Sequence, residues 1–368
     1  MLHAVIMAGG TGTRFWPESR AKRPKQLLEL LDGKTMIRAT VDRLGELVSA
    51  QRLFVATTQQ MADDIAAALP ELPRNAILVE PCKRDTAPCI GLAAWHVSHS
   101  DPDATMAVMP ADHVISPDEV FRQAIQCGAA LVDERPERLV TFGIRPTYPA
   151  ESFGYIQRGE RLRALPPQTT CGEGEAASAY DVRQFREKPD ADTAREYMTS
   201  GEFYWNSGIF VWKARRMLDL LERYQPEMHE RLRRIGQAID TPEYDEVLRR
   251  EFAAIRGTSI DYAVMEQAPE VVVLEAPFDW DDLGSWQALA RLRAADEQGN
   301  TVAAKHLAIE TTGTIVRGED DHLIVTVGLD DCIVVHTSDA TLVARKQHEE
   351  SVRNVVELLK QRGWSKYI

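Results

Sequence analysis

Arg14, Arg20, Lys22, Arg23 and Lys25 crowd into the stretch 14–25 against a single acid, Glu18, directly after a turn bearing Gly9, Gly10 and Gly12. Glycines that follow a strand expose backbone N–H groups able to surround a phosphate, and nearby bases neutralise its charge. The chain has a formal charge of −13, so a local excess of four positive charges stands out. The chemistry these residue types suit is the holding of a phosphorylated ligand. The plain alternative is a solvated basic loop over an ordinary tight turn.

The loop fits neither common nucleotide fingerprint. No Gly-Lys-Ser/Thr occurs, as a P-loop requires. Gly10 and Gly12 begin a G-x-G-x-x-G pattern, but Phe15 stands where close helix packing wants glycine. Other segments carry candidate chemistry. Asp112 sits just past an apolar run, where an aspartate either holds a magnesium ion or caps a turn. Asp279, Asp281 and Asp282 precede Gly284 and Ser285 at a strand-to-helix junction, as metal ligands or as helix caps. Glu187-Lys188-Pro189 offers an acceptor-only carboxylate for vicinal hydroxyls and an ammonium for phosphate, or is an exposed pair before a proline turn.

The elements that must position these residues alternate. Apolar strands are expected at 3–7, 52–57, 76–80, 104–109 and 138–144, with helices at 35–48, 59–69, 86–97 and 117–133. That order predicts an α/β fold with a doubly wound, mainly parallel sheet of Rossmann-like type. In such sheets ligands bind beyond the carboxyl ends of the strands. The glycine loop, the segment Glu80 to Pro88 and Pro110-Ala111-Asp112-His113 follow the first, third and fourth strands, so all three fall on one edge. From about 297 the pattern changes to short β runs at 301–303, 314–316, 323–327, 332–337 and 340–344, then a helix over 348–362. No strict hexapeptide repeat is present, so a long left-handed β-helix is not indicated. The expected division is a catalytic domain over 1–296 and a β-rich domain over 297–368. No apolar run approaches the roughly 20 residues of a membrane span, and the start lacks the regions of a signal peptide. The five cysteines (Cys82, Cys89, Cys127, Cys171, Cys332) are odd in number and lack C-x-x-C spacing, so reduced thiols in a cytoplasm are expected. The acidic balance argues against nucleic acid as partner.

G-G-x-G-x-R followed by P-K resembles the signature loop of the sugar-nucleotide pyrophosphorylases. With Phe15-Trp16-Pro17 the loop looks like that of the mannose-1-phosphate guanylyltransferases. The resemblance implies a Mg2+-assisted enzyme that joins GTP and mannose 1-phosphate, with no nucleic-acid or membrane partner and a homodimeric assembly. It implies catalytic roles for Arg14, Lys25, Asp112, Lys188 and Asp282, with metal held by Asp112 and, through a W-x-D-x-G motif, Asp282 (Asp281 as runner-up). Nucleotide contacts fall on Ala8, Gly9, Gly10, Thr11, Gly12, Thr13, Arg14, Lys25, Glu80, Asp85, Thr86 and Asp112. Asp85 or Glu80 can accept from the guanine N1–H and amine, while Asp85 and Thr86 equally suit helix caps. Sugar contacts fall on Gly154, Glu187 and Lys188 of the E-K-P motif, and Asn206 of Trp205-Asn206-Ser207-Gly208. Without the resemblance that last segment reads as a glycine turn before a strand. A non-catalytic binding subunit and a same-fold enzyme for another sugar–nucleotide pair are the alternatives.

Overall fold

The structure, a computed structural model, describes residues 1–10, 12–31, 33–162, 178–319 and 321–368. Thr11 and Cys171 lie outside the described residues. The chain forms two compact units, one of Met1–Gly9, Val41–Ala111 and Ile115–Trp280, the other of Gly10–Thr40, Asp112–Val114 and Asp281–Ile368.

The first unit is built on a nine-stranded sheet. Its parallel block runs β3 (Ile77–Glu80), β2 (Leu53–Thr58), β1 (Leu2–Ala8) and β4 (Thr105–Pro110). Ala4, Val5 and Ile6 are all fully buried, the unbroken apolar run expected of a strand covered on both faces. Register is fixed by pairs such as Ile6↔Val55 and Ile6↔Met109. Beyond β4 the sheet is mixed. Phe203–Lys213 runs antiparallel to β4 and to Leu139–Ile144, Val271–Glu275 returns parallel to the latter, and Ala179–Glu187 and Gly154–Arg161 close the edge antiparallel. The parallel half thus matches the sequence expectation, whereas the half with the sugar-side motifs departs from it. There Phe203–Lys213 follows helix Ala191–Ser200 yet runs antiparallel to each of its partners. Helix Thr86–Ser100 is apolar nearly all round, and Ile90, Leu92 and Ala93 sink into a core shared with Trp212, Leu221, Leu232 and Phe252.

The second unit shows why its pieces come from three parts of the sequence. Phe15, Trp16, Leu28 and Leu30 share one core with Trp286, Leu289, Ile333, Val335, Val352 and Val356. Phe15 meets the Trp286 ring edge-on at 5.0 Å, and the Trp16 indole N–H donates to the Tyr367 carbonyl at 2.8 Å. Phe15 and Trp16, which carry part of the family resemblance, are therefore core residues. Compactness groups the chain differently from a single cut near 297, because these buried aromatics bind the basic segment to the tail.

The tail strands stack in parallel: Thr301 pairs with Ile315 and Ile315 with Ile333, while Lys305 pairs with Leu323 in a separate ladder. Alternation between two ladders is a short β-helical coil. Its partners are spaced unevenly along the chain, so the sequence shows no repeat, and Lys305–Ile309 is a strand beyond those expected. Thr341–Arg345 then turns back antiparallel and helix Val352–Gln361 covers the core. Among the described residues no helix is long and apolar enough to cross a membrane.

Candidate functional site

The second unit collects the charged groups. Gly12 takes a left-handed φ of 59°, and a Cβ there would collide with the Lys25 side chain and stand 3.0 Å from its backbone nitrogen. A bare Cα is thus what lets the glycine loop close onto Lys25. Gly10 meets Gln26 in the same way, its added Cβ 3.0 Å from Nε2. The loop turns through Thr13–Phe15, with the Phe15 N–H donating to the Gly12 carbonyl at 2.9 Å.

Lys25 is buried, and its ammonium has two acceptors: the Asp112 carboxylate (Oδ2) at 2.9 Å and the Asp282 carbonyl at 2.7 Å. Burial alone would raise the Asp112 carboxyl; the charges of Lys25 and His113 and the Lys25 hydrogen bond outweigh it and hold Asp112 below its ordinary value. Asp282 moves the other way. Burial and the neighbouring Asp281 charge raise it, against Lys25 and Arg14. Arg14 pairs with Glu350 at 3.5 Å. An added Cβ at Gly284 would lie 2.8 Å from Asp282 Oδ2 and 3.2 Å from Arg14 Nη1, so both groups converge on this bare glycine.

Asp281 and Asp282 separate clearly. Asp281 accepts from the Leu283 N–H at 2.7 Å and forms an ion pair with Arg291 at 2.8 Å. Asp282 accepts only weakly from the Gly284 N–H, at 3.2 Å, and sits in the field of Lys25 and Arg14. Among the described residues no three His, Cys, Asp or Glu side chains gather as a metal cage. Two carboxylates near one lysine suit magnesium instead, which keeps water and phosphate ligands and takes few from protein.

The first unit holds the remaining candidates. Ala8 ends β1, and Gly9 lies where an added Cβ would stand 3.5 Å from Glu80 Oε2. Glu80 ends β3, is buried, and its Oε1 has no hydrogen-bond partner among the described residues. Burial pushes its carboxyl up to about 7. Asp85 caps helix Thr86–Ser100: it has φ 68° and its Oδ1 accepts the Thr86 N–H at 2.8 Å. The Thr86 hydroxyl accepts the Ile260 N–H at 2.8 Å, tying this loop to the segment before Asp261. The cap role left open for Asp85 is thus present, and Glu80 has the uncommitted acceptor.

On the antiparallel edge Gly154 pairs with Glu187. A Cβ on Gly154 would stand 2.5 Å from Glu187 Oε2 and 3.4 Å from Asn206 Cβ, so Gly154, Glu187 and Asn206 border one space. Lys188, at a left-handed φ of 49°, places its ammonium 3.0 Å from Glu187 Oε1. Burial would lower the Lys188 ammonium, but the Glu187 hydrogen bond and charge raise it. Asn206 donates from Nδ2 to Asp261 Oδ1 at 3.0 Å.

Asp261 is a site residue that the sequence reading does not single out, and a signal for it exists. It is a lone acid between the buried Ile260 and the buried run Ala263-Val264-Met265. A buried carboxylate in apolar surroundings costs free energy unless it has a partner.

Residues 3–299 match the family model described as Nucleotidyl transferase, and residues 304–359 one described as MannoseP isomerase/GMP-like beta-helix domain. A mannose-1-phosphate guanylyltransferase of Klebsiella pneumoniae is 36% identical over 370 residues, covering 100% of this chain and 76% of its own length. One from Escherichia coli is 37% identical over 367 residues, covering 98% and 74%. A crystal structure described as a mannose-1-phosphate geranyltransferase from Thermus thermophilus aligns with a TM-score of 0.84 at 34% identity, over 98% of this chain and 99% of its own.

Proposed function

The chain belongs to the mannose-1-phosphate guanylyltransferases of the nucleotidyl transferase family, and from that premise we propose how its residues divide the work of the reaction. The reaction transfers GMP from GTP to mannose 1-phosphate and gives GDP-mannose and pyrophosphate. A phosphate oxygen of the sugar attacks the α-phosphorus in line, its bond forms as the bond to pyrophosphate breaks, and the electron pair leaves with pyrophosphate. The second pKa of a phosphate monoester is about 6, so the nucleophile is already largely dianionic at neutral pH and needs no general base. What remains is positioning and charge neutralisation.

The observation that carries this reading is the Lys25 ammonium held between the Asp112 carboxylate and the Asp282 carbonyl. Lys25 and Arg14 face the triphosphate and the leaving pyrophosphate, and the loop from Ala8 to Thr13 supplies backbone N–H groups. Lys188 holds the sugar phosphate. Glu187, Asn206 and the bare Gly154 meet the sugar, and Glu80, with Asp85 and Thr86 beside it, meets the guanine. The family works with a divalent metal. The assignment of Mg2+ with Asp112 and Asp282 as ligands is supported by the Asp112 carboxylate on Lys25 and the Asp282 carboxylate in the field of the same lysine. When bound, the ion would draw charge from phosphate oxygens. The same reading takes 1–296 as catalytic and 297–368 as a C-terminal domain, supported by where the two family matches meet. It includes a homodimer acting in the cytoplasm.

Pyrophosphate release, with GTP, ATP, UTP and dTTP crossed against mannose and glucose 1-phosphates in Mg2+, tests the reading. Release confined mainly to GTP with mannose 1-phosphate is expected. Release with another pair would overturn the base and sugar assignments, and no release from folded protein would indicate a binding subunit.

A further inference from the structure

The amide of Asn206 is almost fully committed inside the first unit. A side-chain amide carries two N–H donors and one carbonyl oxygen with two lone pairs. The Asn206 oxygen accepts from the Gly208 N–H at 3.1 Å, and the Thr141 hydroxyl, whose single proton also reaches the Ile209 carbonyl at 3.1 Å, lies 3.3 Å away. One N–H goes to Asp261 Oδ1. A single N–H remains.

Glu187 is arranged the opposite way. Lys188 takes its Oε1, and Oε2 faces the gap left by Gly154, beside Asn206. A sugar hydroxyl both donates and accepts, so a carboxylate acceptor next to an amide donor suits one hydroxyl or a neighbouring pair. The reverse orientation of the amide would set two acceptors side by side and leave the hydroxyl with no donor to meet. Two groups oppose that turn: the Gly208 N–H, which needs the amide oxygen, and Asp261, whose Oδ1 accepts from Nδ2. Asp261 is itself held firmly. It opens a π-helical turn in which the Glu266 N–H reaches back to its carbonyl at 3.0 Å, an irregularity frequent at functional sites.

We propose that Asp261 is the positioning residue that, together with the Gly208 N–H, fixes the Asn206 amide with its remaining N–H toward the sugar. The proposal rests on the assignment of mannose 1-phosphate to this edge of the first unit. Burial and the Glu187 charge push the Asp261 carboxyl up to about 7, which is the penalty of keeping an acid at this position.

Asp261→Asn can present a donor to the Asn206 nitrogen and removes the charged acceptor, which loosens the hold on the amide. Steady-state kinetics of this variant should show KM for mannose 1-phosphate raised about 10- to 100-fold, the scale of a hydrogen bond lost at a buried charged group. KM for GTP and kcat at saturating sugar should stay within about threefold of wild type. Asp261→Glu, which restores an acceptor, should recover much of the loss, a rescue that a merely structural role would not give. GTP affinity of each variant serves as the fold control; if Asp261→Asn does not fold, Asp261→Ala, which also removes the acceptor for the Asn206 Nδ2, carries the same test. An unchanged KM for mannose 1-phosphate, or equal losses for both substrates, would overturn the proposal. Wild-type protein that turns over GTP and mannose 1-phosphate beside an unaffected variant would defeat only this inference. A wild type inactive with that pair would defeat the functional reading beneath it.

Discussion

Asp112 in the second unit and Glu80 and Asp261 in the first meet burial in opposite ways, while Asp282 of the second unit is raised as the latter two are. In the second, Asp112 is surrounded by protein yet held below its ordinary value, because Lys25 and His113 outweigh the burial. In the first, Glu80 and Asp261 are pushed up to about 7, because burial is not offset by a cation of comparable effect. The contrast matches two tasks. Neutralising phosphate requires fixed cations with carboxylates that stay ionised, and these are costly to desolvate unless paired. Recognising a base or a sugar requires acceptors and donors at defined places, and a lone acceptor without a competing cation keeps its lone pairs for the ligand.

Removing the cation at the centre of the paired unit should break the comparison most severely. Lys25→Ala should lower kcat by about 10³ or more, since it deletes a charge aimed at the phosphates and leaves Asp112 buried without its partner. Single-turnover measurement of pyrophosphate release checks this, and near-normal kcat would dissolve the distinction between the units. Arg14→Ala should cost about 10²–10³ in kcat with the fold intact, as circular dichroism would show. Full activity in that variant would remove Arg14 from the mechanism.

The acceptor unit is sharpened by its two candidate guanine readers. Glu80 has an oxygen without a partner, whereas Asp85 already caps a helix. Glu80→Gln should therefore cut the GTP/ATP ratio of kcat/KM by about tenfold or more, the usual effect of a mismatched buried hydrogen bond. Asp85→Ala should relax the ratio less and destabilise the protein by about 1 kcal/mol through the lost cap. The opposite order in a nucleotide-competition assay would exchange the two roles.

The smallest expected effect concerns stability. For an acid whose folded pKa is raised, the folded protein binds more protons than the unfolded chain between the ordinary carboxylate value and the raised one. Stability contributed by Glu80 therefore falls as pH rises through that window, up to about 7. Glu80→Gln should flatten this fall by up to about 1 kcal/mol per pH unit, read from urea unfolding across the window. An unchanged slope would mean that Glu80 titrates normally.

Sequence makes the charged unit more legible than the acceptor unit. Gly12, Arg14 and Lys25 lie within one short stretch, so residue type and spacing alone announce a phosphate site. Asp112 and Asp282 are visible in the sequence only as acids at element ends, and their common tie to Lys25 is a long-range contact that no spacing encodes. The parallel strands β1 to β4 are legible from alternation. The antiparallel edge and the β-helical coil are not, because their partners are distant and unevenly spaced. Asp261 escapes a sequence reading because its role depends on Asn206, on another strand. Asp281 and Asp282 are adjacent acids that only the resemblance ranks, and the Leu283 N–H and Arg291 on Asp281 set them apart in the structure.

Specificity in the charge-handling variants tests the division most directly. Arg14→Lys and Lys25→Arg would be assayed for kcat/KM with GTP against ATP and with mannose against glucose 1-phosphate. The account predicts that all rates fall together and both ratios stay within about threefold of wild type, because these cations act on phosphates common to every substrate. A shift of about tenfold or more in either ratio, with the rate for the best pair preserved, would contradict it.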